Sequence, residues 1–363
     1  MQKNISTNGL TLWGAVAILL LVFISGSGIF DFTYGLGPDG WIAQLLGLAM
    51  AAPLLLLFAR LAHLLPGMSL YAMLEYAFGR WIARFLSLLY LLYFIGLAAA
   101  IQAQYAAFIR MISLVNTPLV VILLAFFTLS VYLAKSGTKT LGKWSLLLGV
   151  TAVVFALGLT LLALPDMRAE HLLPVGANSP ASIVRSGGKF AIFPLGEAVV
   201  MLALLGPLDK RTDPYKLFFF GALFAVGFFL LSFFRDTAIL GATLLDMLHF
   251  PSFTAAGVIQ IGGIGGRMDI FFAGLLLLAG LTKAAACLIA ANRGIRQVFS
   301  LSKENAALLP LGFFAAGLAA VLFPSLTELF AFPGIYVYYV PLFQGVIPFA
   351  AWFFAEIKVW RES

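Results

Sequence analysis

Runs of roughly twenty apolar residues recur along the whole chain, and each is long enough to carry a helix across a bilayer. They lie near residues 10–30, 40–59, 84–109, 118–134, 145–164, 189–205, 217–234, 269–291, 308–323 and 334–354. Backbone inside lipid must satisfy its own hydrogen bonds, so only helices and closed barrels qualify. Barrel strands are half this length and alternate in polarity, which excludes them. The composition agrees: 62% of the 363 residues are hydrophobic and only 10% are charged, against roughly 25% charged in a soluble domain. The expected fold is an all-α integral membrane protein of about ten transmembrane helices. The longest polar loop, 165–185, has no room for a soluble domain, so 1–363 reads as a single membrane domain. Lys3 followed by an apolar run and Ser25-Gly26-Ser27 has the outline of a leader peptide, but reading it as a span keeps the helix count even. One cysteine, Cys287, rules out an internal disulfide.

Basic residues fall on alternate loops. Fifteen lie on one side: Lys3; Arg60, Arg80 and Arg84; Lys135, Lys139 and Lys143; Lys210, Arg211 and Lys216; Arg293, Arg296 and Lys303; Lys358 and Arg361. Five lie on the other: Arg110, Arg168, Arg185, Lys189 and Arg267. This bias predicts that both termini are cytoplasmic. It also accounts for the net charge of +7 without a nucleic-acid partner. Ten helices then divide into two fives of opposite orientation, repeat one at about 9–164 and repeat two at about 182–357, giving a 5+5 inverted repeat. The links at 67–79 and 241–266 are part-apolar and read as short helices.

The first helix of each half is interrupted. Ser25-Gly26-Ser27-Gly28 breaks the first span, and Phe193-Pro194-Leu195-Gly196-Glu197 breaks the sixth. Paired interruptions of this kind point to a binding site at mid-membrane, and they predict discontinuous helices one and six. Glu197 is the most telling residue, because an acid at mid-bilayer costs roughly 2.5–3.5 kcal/mol and needs a partner or a polar cavity. It either contacts ligand, ion or proton, or serves a structural ion pair. Lys283, deep in span eight, is its natural counterpart, with Thr282 beside it. Alternatively, Lys283 fills the place of a sodium ion in sodium-coupled relatives of such a fold. Main-chain groups at Gly26, Ser27 and Gly28 are candidates for holding an anionic ligand group, the alternative being glycine used for close helix crossing. Tyr93 on span three is central enough to reach the same point. Gln102, Gln104 and Tyr105 read as interfacial or interhelical residues, and Tyr336, Tyr338 and Tyr339 as belt or gate residues.

Other signals carry nothing. Gly262-Gly263-Ile264-Gly265-Gly266 is no phosphate loop, because no strand precedes it and no Gly-Lys-Ser/Thr follows; it reads as a flexible external loop. His63, His171 and His249 lack metal-ligand spacing. No metal or cofactor is expected. No nucleophile elbow or catalytic carboxylate pair is present, so no enzyme is expected.

Taken together, these motifs resemble the B-subunit family of bacterial spore germinant receptors, the GerAB-like endospore germination permeases. They include the Gly-rich break of span one, the turn Gly37-Pro38-Asp39-Gly40-Trp41-Ile42, the link Leu64-Leu65-Pro66-Gly67, the run Ser87-Leu88-Leu89-Tyr90-Leu91-Leu92-Tyr93, Phe193-Pro194-Leu195-Gly196-Glu197, Arg267-Met268-Asp269 and the Lys283 helix. The resemblance covers about 10–354. The chain departs from the family where proline is often found and Asp31 stands instead. The resemblance implies the amino acid–polyamine–organocation transporter fold and a nutrient-sensing, non-enzymatic subunit of the cell membrane or spore inner membrane. It further implies A and C receptor subunits as partners and a small nutrient, an amino acid, as ligand. The expected site lies between spans one, three, six and eight: Gly26, Ser27, Gly28, Tyr93, Pro194, Gly196, Glu197, Thr282 and Lys283. The alternatives are a proton-coupled amino-acid secondary transporter and a membrane scaffold whose site has decayed.

Overall fold

The computed structural model describes residues 9–27, 33, 35–206, 212–261, 264–265, 267–301, 303, 305 and 307–362. Seven helical stretches among them are long and apolar enough to cross a membrane, and three shorter apolar helices, Leu12–Gly26, Leu119–Lys135 and Leu308–Leu322, accompany them.

Helix α1 (Leu12–Ser27) is apolar on every side, and such a helix belongs in the interior. Every residue from 14 to 26 is buried. It is followed by α2 (Gly40–Leu64), the short α3 (Leu70–Phe78), α4 (Arg80–Ile112), α5 (Leu119–Lys135) and α6 (Gly137–Ala163). The short helix expected in the 67–79 link is therefore present. It ends at Gly79, whose φ of 77° is left-handed and suits glycine.

The second half holds α7 (Pro180–Phe190), α8 (Val199–Leu204), α9 (Pro214–Leu240), α10 (Ala242–Leu245), α11 (Pro251–Val258), α12 (Met268–Phe299), α13 (Leu308–Leu322), α14 (Leu326–Pro341) and α15 (Ile347–Glu362). The link 241–266 holds α10, α11 and one departure from the all-α expectation, a two-residue antiparallel pair of Gln260–Ile261 with Ile264–Gly265. Gly262, Gly263 and Gly266 of the glycine-rich loop lie outside the described residues.

Around α1 pack α6, α9 and α12, while α4 runs along α12 and α2 lies against α7 and α9. Small residues set close crossings: a β-carbon on Gly14 of α1 would sit 3.3 Å from Gly142 Cα of α6, and one on Gly47 of α2 2.8 Å from Gly187 O of α7. On the far side of α6, Leu147, Val150, Val154 and Leu161 form an exposed apolar stripe. Their spacing puts them on one helix face, and water would not tolerate such a surface beside so many others. The outward faces meet lipid, and the chain is an integral membrane protein.

The two expected interruptions differ. In the sixth span α7 passes into a π turn, Ala191–Leu195, then a 3-10 turn, Gly196–Ala198, before α8. Pro194 has no N–H to give to the turn behind it, and the winding slackens to accommodate its ring. The path stays helical but changes pitch twice. In span one, α1 winds through Ser25 and Gly26 and ends at Ser27, inside the stretch where the break is expected, and Gly28 lies outside the described residues. A second π turn, Leu342–Val346, joins α14 to α15. It follows Pro341, for the same reason.

Candidate functional site

The 3-10 turn of span six aims Glu197 at the middle of α12, where Lys283 stands. Both side chains are fully buried, and Lys283 Nζ donates to Glu197 Oε2. Of the two readings the sequence leaves open for Lys283, the structure makes the pairing with Glu197. Each neutralises the other in a medium where a lone charge would be costly.

The second carboxylate oxygen is engaged from α14. Tyr336 Oη donates to Glu197 Oε1 at 3.2 Å, and the Tyr93 hydroxyl of α4 lies 3.0 Å from that of Tyr336. Tyr336 has one proton, which goes to the carboxylate, so Tyr93 donates to Tyr336. Gln344 Nε2, in the second π turn, lies 3.5 Å from both hydroxyls. A directed chain results, from Gln344 through Tyr93 and Tyr336 to Glu197, met from the other side by Lys283. The Phe193 ring stands edge-on to Tyr336, with Lys283 Nζ 5.8 Å from its centroid.

Gly26 closes the cluster from α1. A β-carbon there would lie 3.0 Å from Lys283 Nζ, 3.2 Å from Phe193 and 3.7 Å from Glu197 Oε2. The backbone here presents carbonyls: Ser25 O accepts from Tyr105 Oη at 3.0 Å and Gly26 O from Gln104 Nε2 at 3.1 Å. These are freed by the end of α1, where helix carbonyls run out of partners. Gly196 is required by space, since a β-carbon would overlap the Gln344 amide.

Of the expected site residues, Gly26, Tyr93, Gly196, Glu197 and Lys283 converge, and buried Pro194 sits in the π turn that aims Glu197. Thr282 is buried but gives its hydroxyl to Leu278 O of its own helix, at 2.9 Å. Ser27 ends α1, and Gly28 lies outside the described residues. Tyr336 is no belt residue: it is 1% exposed, whereas Tyr338 is 89% exposed. Gln344 was not anticipated. Its sequence signal is Gln344-Gly345 three residues after Pro341 in an otherwise apolar run, which parallels Pro194-Leu195-Gly196-Glu197.

Solved structures share this architecture. A nucleobase-cation-symport-1 family transporter, closed with bromovinylhydantoin bound, superimposes with a TM-score of 0.65, covering 94% of this chain and 80% of that one at 15% identity. A Na+-coupled sialic acid symporter in a substrate-bound outward-open state gives 0.63, covering 96% and 89% at 14% identity. The fold defines a transporter-like membrane protein. The chain belongs to the spore permease family, described as "Spore germination protein", which matches residues 14–326. It is 24% identical to Spore germination protein KB of Bacillus subtilis (strain 168), over 81% of this chain and 80% of that protein. Spore germination protein B2 of the same organism is 22% identical over 88% and 87%. The chain is a germination-related, permease-like protein and not an enzyme.

Proposed function

We propose that this chain is the nutrient-sensing B subunit of a spore germinant receptor, binding an amino acid at the Glu197–Lys283 cluster. The observation that carries the reading is a fully buried ion pair set where the sixth span changes winding. A zwitterion matches it: its carboxylate takes Lys283 and its ammonium takes Glu197, so no charge is left unpaired on binding. Tyr93 and Gly26 flank the pair; Ser27, Gly28, Pro194, Gly196 and Thr282 complete the site. The ligand shifts the bundle between two packings by binding one of them better. The chain forms a single membrane domain of two inverted five-helix repeats, about 9–164 and 182–357. Both termini are cytoplasmic, in the cell membrane or spore inner membrane. A and C receptor subunits are its partners.

The second reading is a proton-coupled amino-acid transporter. The tyrosine chain ending on Glu197 favours it, because linked hydroxyls can pass a proton to a carboxylate. Counterflow of labelled L-alanine and other amino acids in proteoliposomes, with equilibrium binding on the same protein, separates the two. The sensor reading expects saturable binding that is lost in Glu197→Gln and no counterflow. Saturable counterflow overturns it in favour of transport.

A further inference from the structure

A second ion pair is buried on the other side of α1, and the cluster described above does not use it. Arg235 and Asp236, consecutive on α9, are 1% and 4% exposed. Arg235 Nε donates to Asp236 Oδ1 at 2.7 Å, and Ser252 of α11 donates to Asp236 Oδ2. They line a cavity of about 100 Å³ whose walls include Phe155, Phe228, Phe233 and Phe272. Neither Glu197 nor Lys283 lines it.

Three buried polar atoms on this cavity's lining residues have no hydrogen-bond partner among the described residues: Arg235 Nη2, Gln44 Oε1 and Ser232 Oγ. Arg235 Nη2 lies 2.7 Å from Asp236 Oδ1, but its N–H groups are not aligned on that oxygen. An unpaired buried polar atom is costly, because it has given up its hydrogen bonds to water for nothing. Three around one cavity, including a cationic donor and a carbonyl acceptor, make a lining that lacks its complement.

We propose that this cavity is a second small-molecule site, for a compact amino-acid zwitterion whose carboxylate meets Arg235 and whose ammonium meets Gln44 Oε1. Charge balance excludes a net ion, and a cationic donor facing an amide acceptor favours a molecule with a charge at each end. The Arg235–Asp236 pair is already neutral, so a net anion or cation would enter the membrane interior uncompensated. A molecule carrying both charges supplies an acceptor to Arg235 and a donor to Gln44 while adding no net charge. Size limits it further. A cavity of about 150 Å³ takes the six carbons of benzene, so this one of about 100 Å³ admits about four or five non-hydrogen atoms, which puts glycine at the limit. The apolar rings face the ligand's carbon. This goes beyond the function proposed above and does not depend on it.

The test is equilibrium binding of glycine to the full chain in lipid nanodiscs, with L-alanine as a larger analogue and propionate and ethylamine as singly charged probes. The variants are Gln44→Leu, Ser232→Ala and, for the other cluster, Glu197→Gln. Replacing an orphaned polar group by an apolar one leaves the unliganded fold as stable or more so, so binding lost in Gln44→Leu or Ser232→Ala is not lost folding, and the folded fraction of Glu197→Gln is measured alongside its binding. The expected result is an amino-acid binding component that persists in Glu197→Gln and weakens about tenfold or more in Gln44→Leu, as for a lost hydrogen bond to a charged group. Propionate and ethylamine bind that component at least about tenfold more weakly. Binding lost in Glu197→Gln but intact in Gln44→Leu overturns the second site and leaves the first standing. Propionate binding as tightly as glycine overturns the zwitterion assignment. An absence of saturable binding by any probe overturns the proposal outright.

Discussion

At the scale of single residues, the Glu197–Lys283 pair is the most exposed to test. Removing one partner leaves the other as a lone buried charge, and such changes cost about 3–5 kcal/mol. Glu197→Gln and Lys283→Met are each expected to lower the unfolding midpoint sharply. The double variant should lose far less than the sum of the two, because no charge is left behind. Thermal unfolding of the four proteins in one detergent measures this cycle, and additive losses would show that the two residues do not act as a pair. Gly196 offers a second check. Gly196→Ala drives a methyl into the Gln344 amide and is expected to weaken both stability and ligand binding. Trimming the obstacle in Gly196→Ala with Gln344→Ala should recover stability, and no recovery would mean that Gly196 is needed for some reason other than space.

Among the elements, the start of α2 is held by one side chain. Asp39 accepts from Gly176 N–H at 2.6 Å, from Asn178 N–H at 3.0 Å and from Asn178 Nδ2 at 2.9 Å. It thereby ties α2 to the loop that leads into α7, and α7 carries the π turn that aims Glu197. Asp39→Ala removes a charged acceptor from three donors and is expected to cost about 1–3 kcal/mol. Hydrogen exchange around 176–178 is the direct measurement, and protection unchanged from the parent protein would refute the tie. The element scale is also where sequence reading met its limit. Pro194 and Gly196 mark the changed winding of span six because proline alone breaks a helix's hydrogen-bond ladder. Ser25-Gly26-Ser27 carries no proline, so Ser25 and Gly26 stay in the last turn of α1, where Ser25 Oγ bonds back to Val22 O at 3.0 Å, and the helix ends at Ser27. Gln344 was missed because one glutamine in an apolar run has no periodic signature of its own.

For the whole molecule, the decisive feature is which way the apolar surface points. Val154 is 61% exposed on the outer stripe of α6. On a soluble protein Val154→Asp would be nearly neutral there. In lipid it costs about 2.5–3.5 kcal/mol at the helix centre, and the yield of the variant in the membrane fraction should fall. An unchanged yield would count against α6 facing lipid.

Length and polarity alone determined that the chain is helical and spans a membrane, because lipid leaves no other way to satisfy the backbone. They also singled out Glu197 and Lys283, since two charges deep in apolar runs demand an explanation whatever the fold. That these two face one another across 86 positions was decided only by tertiary structure. So was the recruitment of Tyr336 and Gln344 from the last span, and the placing of Arg235 and Asp236 on a cavity that neither Glu197 nor Lys283 lines. Local sequence sets a residue's own helix and face. Which face meets which neighbour depends on the packing of α1 against α6, α9 and α12, and that is a property of the bundle as a whole.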